Sequence, residues 1–327
     1  MNRRNFLRIS GTVGALGLLP VARSQLAPSQ RFLDTTIRSL DPSFDRYRGT
    51  VAKVERIAIG MRWCEGPVWN DEKRHLLWSD LFSDCMMCWD EGSGQVSVFR
   101  KPAQGANGNT WDRQGRLLTC EARARRVVRT ERDGSTTVVA DSFEGRRLNA
   151  PNDIVCKTDE SIWFTDPTEG QSAEGRLPSR VYRWDPNSKS LTVVVEDLKR
   201  PNGIAFSPDE SALYVIDSRA SPRSIYRYDV GDRGGVSNSR VLIAAQPEGT
   251  PDGMRIDVDG NLWCGWGAGA GLDGVRIFNS KGKPIGHIDL PERCANLCFG
   301  GQARNQLFMC ATTSVYSLVV GTHGVRG

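Results

Sequence analysis

The 327-residue sequence predicts an all-β fold, a six-bladed β-propeller with a divalent metal in its central channel. Two observations predict the propeller. A single phrase, a turn rich in Asp, Gly, Asn or Glu followed by a short apolar strand, occurs six times: Asn70–Asp80, Asp112–Glu121, Lys157–Asp166, Ser207–Asp217, Asp257–Trp266 and Gly301–Ala311. Its equivalent apolar positions, Leu77, Leu118, Trp163, Tyr214, Trp263 and Phe308, are 41, 45, 51, 49 and 45 residues apart. A period in the forties with about four short strands per unit is the mark of propeller blades. A third observation, set out below, predicts the metal: oxygen-bearing side chains recur at one fixed distance before each phrase.

The remaining strands of each blade are read from short β-rich runs between turn residues. Thr136–Ala140, Val181–Trp184, Leu191–Val195, Ile225–Tyr228 and Val275–Asn279 are such runs, and 34 Gly and 16 Pro supply the turns. No long stretch keeps a helical period, which excludes a helical solenoid or a doubly wound sheet. The segment Val54–Ile59 precedes the first phrase and is expected to pair into the last blade, closing the ring and removing free edges. Trp69, Trp78, Trp163 and Trp263 are expected between blades, Trp111 and Trp266 are left open, and His287 is expected at the surface or in a turn.

Residues 1–24 read as an export signal. Arg3 and Arg4 precede Phe6 and Leu7, an apolar Gly-rich stretch runs from Ile9 to Ala22, and Ala22-Arg23-Ser24 offers small residues for cleavage. The paired arginines resemble a twin-arginine signal, so the twin-arginine export machinery is an expected partner and the periplasm the expected location. No apolar run reaches the ~18 residues of a membrane span, so no stable membrane anchor is expected. Residues 25–50 follow as an N-terminal arm, 51–320 as the propeller and 321–327 as a tail. Four of the five net positive charges fall in residues 1–24, which leaves the rest of the chain at +1. Its basic residues are interspersed; the densest cluster, Arg123–Arg129, reads as a strand with one solvated face, not a nucleic-acid footprint. Of nine cysteines, Cys85 and Cys88 have metal-ligand spacing but no second pair or nearby His, and read as core thiols.

The chemistry lies just upstream of each phrase. Eleven or twelve residues before the aligned apolar position stand Glu65, Asn107, Asn152, Asn202, Asp252 and Asn296. Three share a local frame: Pro151-Asn152-Asp153, Pro201-Asn202-Gly203 and Pro251-Asp252-Gly253. In a propeller the innermost strands line the channel, so equivalent positions converge on its axis. Six oxygen-bearing side chains, two of them carboxylates, would then surround one point. A hard cation suits that set: Ca²⁺ takes carboxylates and amide carbonyls, whereas the absence of His argues against a typical zinc site. Asn107 and Asn296 are the weaker members, since no Pro precedes them. With no Ser–His or Cys–His pair at the channel and no Gly-rich phosphate loop, hydrolysis of an ester-like bond is the simplest chemistry available.

These motifs resemble the senescence-marker-protein-30/gluconolactonase family of sugar lactonases over roughly residues 50–320. The resemblance rests on Glu65-Gly66-Pro67-Val68-Trp69, Pro151-Asn152-Asp153, Ile162-Trp163-Phe164-Thr165-Asp166-Pro167, Pro201-Asn202-Gly203-Ile204-Ala205-Phe206-Ser207 and Pro251-Asp252-Gly253-Met254. It implies one divalent cation on the axis, Ca²⁺ foremost with Zn²⁺ or Mn²⁺ possible. It implies Glu65, Asn202 and Asp252 as ligands, with Asn152 a fourth ligand or substrate contact, and Asp252 as general base. Asn107 and Asn296 stand with Asn152 as candidate substrate contacts. Animal members carry an Arg two residues before the Asn that matches Asn152; here that position is Ala150, with Arg146 and Arg147 nearby. Asp166 and Asp217, which end strands of the phrase, are expected in turn or supporting roles. The expected function is opening of a lactone, such as gluconolactone, to the hydroxy acid. A phosphotriesterase-like hydrolase at the same site, and a non-catalytic binding propeller with a structural Ca²⁺, are the alternatives.

Overall fold

The computed structural model describes residues 36–49, 53–168, 175–246 and 249–325. These belong to one compact unit, residues 33–327; the expected signal, residues 1–24, lies outside them. Six antiparallel blades, five of four strands and one of five, follow one another along the chain. Their innermost strands are Cys64–Asn70, Ala106–Trp111, Ile154–Cys156, Pro201–Phe206, Thr250–Ile256 and Cys294–Gly300, numbered here blades 1 to 6. The repeated phrase supplies the second strand of every blade: His75–Asp80, Leu117–Glu121, Ile162–Asp166, Ala212–Asp217, Leu262–Gly267 and Gln306–Ala311. Its six aligned apolar residues are all buried.

The turns form where the sequence places short acceptors. Asp112 Oδ1 takes the backbone N–H of Gln114 and Arg116, and Asp257 Oδ1 that of Asp259 and Asn261. Each carboxylate thereby closes the hairpin that enters its second strand. Between blades the core is aromatic. Trp69 stacks on Phe308 at 5.4 Å, Trp163 meets Phe206 edge-on at 5.2 Å, and Trp263 meets Phe299 at 5.6 Å. Trp78 is fully buried, so the four tryptophans expected between blades are core residues. Trp266 joins them, 5.6 Å from Phe278.

The ring closes as expected. Glu55–Ile59 pairs antiparallel with Ser314–Val319 and becomes the outermost strand of blade 6. The arm goes further than the sequence indicated. Ile37–Ser39 adds a fifth strand to blade 5, pairing with Pro284–Asp289, and the 3₁₀ turn Pro42–Tyr47 buries Phe44 against Trp263. This strand covers His287, which is fully buried rather than exposed: Arg38 lies opposite it in the ladder. A partner 249 residues away in sequence hides the histidine, so no local pattern could reveal it. All nine cysteines are free.

Candidate functional site

The six phased residues stand where the inner strands break register. Bulges fall between Glu65 and Val68, Ala106 and Asn109, Pro201 and Ile204, Pro251 and Met254, and Cys294 and Asn296. In blade 3 the inner strand begins only after Asn152 and Asp153. An extra residue at a bulge bends the strand and re-aims a side chain, here five times at the same phase. Glycine follows four of the six, and each lets the next inner strand approach. A Cβ on Gly66, whose φ is +48°, would lie 2.0 Å from the Asn107 carbonyl oxygen; one on Gly203 would lie 2.5 Å from that of Asp252. Hydroxyls fix the same joints. Ser79 Oγ donates to the Asn107 carbonyl and Thr165 Oγ1 to the Asn202 carbonyl, each at 2.8 Å.

Convergence is direct. Asn296 of blade 6 donates across the axis to Asp153 Oδ2 of the opposite blade 3 (3.5 Å), and Arg255 of blade 5 pairs with the same oxygen at 3.6 Å. Asn202 Nδ2 donates to Asp252 Oδ1 at 2.7 Å, which leaves the side-chain Oδ1 of Asn202 available to a cation. Glu65 accepts from Trp63 Nε1 at 3.3 Å and from the Gly66 N–H at 3.2 Å. The Asn152 amide has no hydrogen-bond partner among the described residues and is half-buried. Asn107 is buried and serves the wall through its carbonyl. Asn296 is 2% exposed and uses both amide atoms within the wall, on Asp153 and on the Leu297 N–H.

The carboxyl groups show the cost of convergence. Burial, with the charges of Asp252 and Asp153, pushes Glu65 up to about 8. Burial also raises Asp252, opposed by Arg293, by the Asn202 hydrogen bond and by Arg200. Buried carboxylates that repel one another favour a positive charge between them. Among the described residues no three His, Cys, Asp or Glu gather into a metal site. The donor set is instead two carboxylates, Glu65 and Asp252, with amide oxygens of Asn202 and Asn152. That mixture fits a hard, oxygen-preferring dication.

Acids at the ends of the second strands hold the rim. Asp80 Oδ1 accepts the N–H groups of Arg62 and Trp63; Asp166 accepts those of Asn149 and Ala150; Asp217 accepts those of Lys199, Arg200, Arg219 and Ala220. Asp166 and Asp217 thus support the loops that enter the inner strands. Arg146 and Arg147 also brace the rim, donating to the carbonyls of Arg176 and Ala124. Asp153, Arg255, Arg293 and Trp63 lie outside the repeated phase. Only Asp153 left a signal, standing where four of the other blades have Gly.

Below this layer the far ends of the inner strands enclose a cavity of ≈ 440 Å³, lined by Trp69, Trp111, Arg113, Arg255 and Arg304 among others. The open Trp111 resolves here, donating to the Trp69 carbonyl. A larger hollow of ≈ 860 Å³ lies on the flank of blades 2 and 3, lined by Val139, Phe143 and Trp184, and includes none of the convergent residues.

The described residues thus form a six-bladed propeller with Glu65, Asn202 and Asp252 gathered at one channel mouth. Residues 63–313 match the SMP-30/gluconolactonase/LRE-like region, and the chain belongs to that family. It is 31% identical to a gluconolactonase of Zymomonas mobilis, covering 88% of this chain and 87% of the relative. It is 28% identical to the pentonolactonase XacC of Haloferax volcanii, covering 80% and 84%. The solved gluconolactonase XC5397 of Xanthomonas campestris superposes with a TM-score of 0.79 at 32% identity, over 87% of this chain and 94% of that one. A calcium-binding regucalcin of Agrobacterium tumefaciens shares the fold at 18% identity and a TM-score of 0.69, covering 83% and 94%.

Proposed function

We propose that this protein is a metal-dependent lactonase that hydrolyses a sugar lactone, such as gluconolactone, to the hydroxy acid. The observation that carries the reading is the gathering of Glu65, Asn202 and Asp252 at one channel mouth in a chain similar over most of its length to lactonases. Glu65, Asn202, Asp252 and Asn152 would hold the cation, Ca²⁺ first and Zn²⁺ or Mn²⁺ as alternatives, and when bound it supplies Lewis acidity to the lactone carbonyl.

The chain's own residues do the rest. Asp252, oriented by Asn202 and Arg293, accepts the proton of the attacking water. Trp63 and the Gly66 N–H hold the Glu65 carboxylate in place. The unpartnered Asn152 amide, with Asn107 on the neighbouring strand, faces the substrate's hydroxyls. Below them the Asp153–Arg255 pair crosses the channel and separates this site from the far cavity. Residues 1–24 complete the proposal as a twin-arginine signal delivering the folded protein to the periplasm. Fractionation of cells expressing the wild type and an Arg3→Lys/Arg4→Lys variant tests this; cytoplasmic retention of both would refute it.

The function is tested by screening aldono-lactones in a proton-release assay with and without Ca²⁺, Zn²⁺ and Mn²⁺. Turnover that requires one of the ions supports the reading. Turnover of phosphotriesters but no lactone, or metal removal that lowers only thermal stability with no turnover at all, would replace it.

A further inference from the structure

Arg293 occupies the mouth of the channel but none of the six repeated positions. Its Nη2 donates to Asp252 Oδ2 at 2.6 Å, and its guanidinium carbon lies 5.7 Å from the centre of the Trp63 ring. Trp63 in turn donates to Glu65. The Arg293 Nε is buried without a partner among the described residues, while the side chain as a whole stays 31% exposed. Part of the fork is therefore committed to the wall and part is not, and the indole fixes the plane of a group that carries five donors and no acceptor.

Charge balance points the same way. A dication would neutralise Glu65 and Asp252 together, and Asp153 already has Arg255. The Arg293 charge would then lack a counter-charge among the described residues. Lactone hydrolysis generates a matching anion. Water oxygen bonds to the carbonyl carbon and the C=O π pair moves onto its oxygen, while the water proton passes to Asp252. Collapse re-forms the carbonyl and breaks the ring C–O bond, the proton on Asp252 goes to the departing alkoxide, and the carboxylic acid so formed gives its remaining proton to solvent, leaving a carboxylate.

Resting on the lactonase reading, we propose that Arg293, backed by Trp63, is a further catalytic residue: it donates to the oxyanion of the tetrahedral intermediate and then to the product carboxylate. Preorganised donors at developing charge are among the strongest contributions a site makes.

The test uses the full chain with Arg293→Gln, Arg293→Lys and Trp63→Leu. Calorimetry compares D-gluconate with its uncharged counterpart D-glucitol, and divalent-cation binding is measured with no substrate present. Arg293→Gln is expected to lower kcat about 100-fold and to weaken D-gluconate at least about 10-fold, leaving D-glucitol unchanged and cation affinity retained or raised. Arg293→Lys should recover part of both losses, and Trp63→Leu should show a smaller loss of the same kind. Equal D-gluconate affinity in wild type and Arg293→Gln would overturn the proposal. So would a collapse of cation binding with D-gluconate unaffected, which would make Arg293 only a clamp on Asp252. Should Arg293→Gln fail to fold, Arg293→Lys and Trp63→Leu decide by the same comparison. If the wild type opened no lactone, the functional reading would fall, whereas the gluconate–glucitol difference would still report on Arg293.

Discussion

Gly66→Ala puts the link between backbone and site to a quantitative test. The added methyl would lie 2.0 Å from the Asn107 carbonyl oxygen and 2.8 Å from Gly108 Cα, both backbone atoms of the next blade. A φ of +48° adds about 1 kcal/mol for a residue with a Cβ. Forcing the strands apart costs about 1–3 kcal/mol. It also pulls the Asn107 carbonyl away from Ser79 Oγ and Asn109 Nδ2, at about 1 kcal/mol for each hydrogen bond. The loss should total about 4–6 kcal/mol, or roughly 6–10 °C in Tm for a domain of this size. Gly134→Ala is the control: φ there is +86°, but nothing lies within 4 Å of the added carbon, so the conformational cost stands alone at about 1 kcal/mol. Denaturant unfolding of both variants, with lactone turnover at a temperature where both remain folded, is the assay. Because Glu65 precedes the clash, Gly66→Ala should also lose turnover while Gly134→Ala keeps it. Equal stability of the two variants would refute the claim that close approach of the inner strands builds the site.

Three further outcomes are expected. Asp252→Asn should lower kcat/KM by about 10²–10⁴-fold without lowering Tm, measured by initial rates and thermal melts. Glu65→Gln should weaken divalent-cation binding at least tenfold by calorimetry, since it removes one of two charged donors. His287 is buried beneath the arm strand and held down at about 4, chiefly by burial. A histidine whose folded value lies below its unfolded one contributes stability above pH ~6.5 that is lost as pH falls through ~4. His287→Gln should therefore flatten the stability–pH curve in that window, measured by denaturant midpoints.

The blades were legible because the repeated phrase is a turn feeding a fully buried strand, and both turn chemistry and burial are local properties. Five of the six phased residues could be found because the bulge recurs at one phase, and Asn152 because it holds the same phase before a shorter strand. Arg293 and Trp63 escaped because they sit on the loops entering the inner strands, where no period constrains them. Asp153 could have been found: glycine follows Glu65, Asn107, Asn202 and Asp252, and the two exceptions are Asp153, which accepts the bond across the axis, and Leu297, which follows Asn296, the residue that donates it. His287 was misplaced because its cover comes from Ile37–Ser39, a pairing that only the closed ring brings about.

The most direct measurement is lactone turnover against bound metal. Protein stripped by chelation and titrated with Ca²⁺ should bind one ion per chain, with activity rising in proportion to occupancy. In Glu65→Gln the whole curve should shift to higher Ca²⁺, and Asp252→Asn should remain inactive at every concentration. Full lactone turnover by the stripped protein, unchanged by added ion, would contradict a metal-dependent lactonase at this channel.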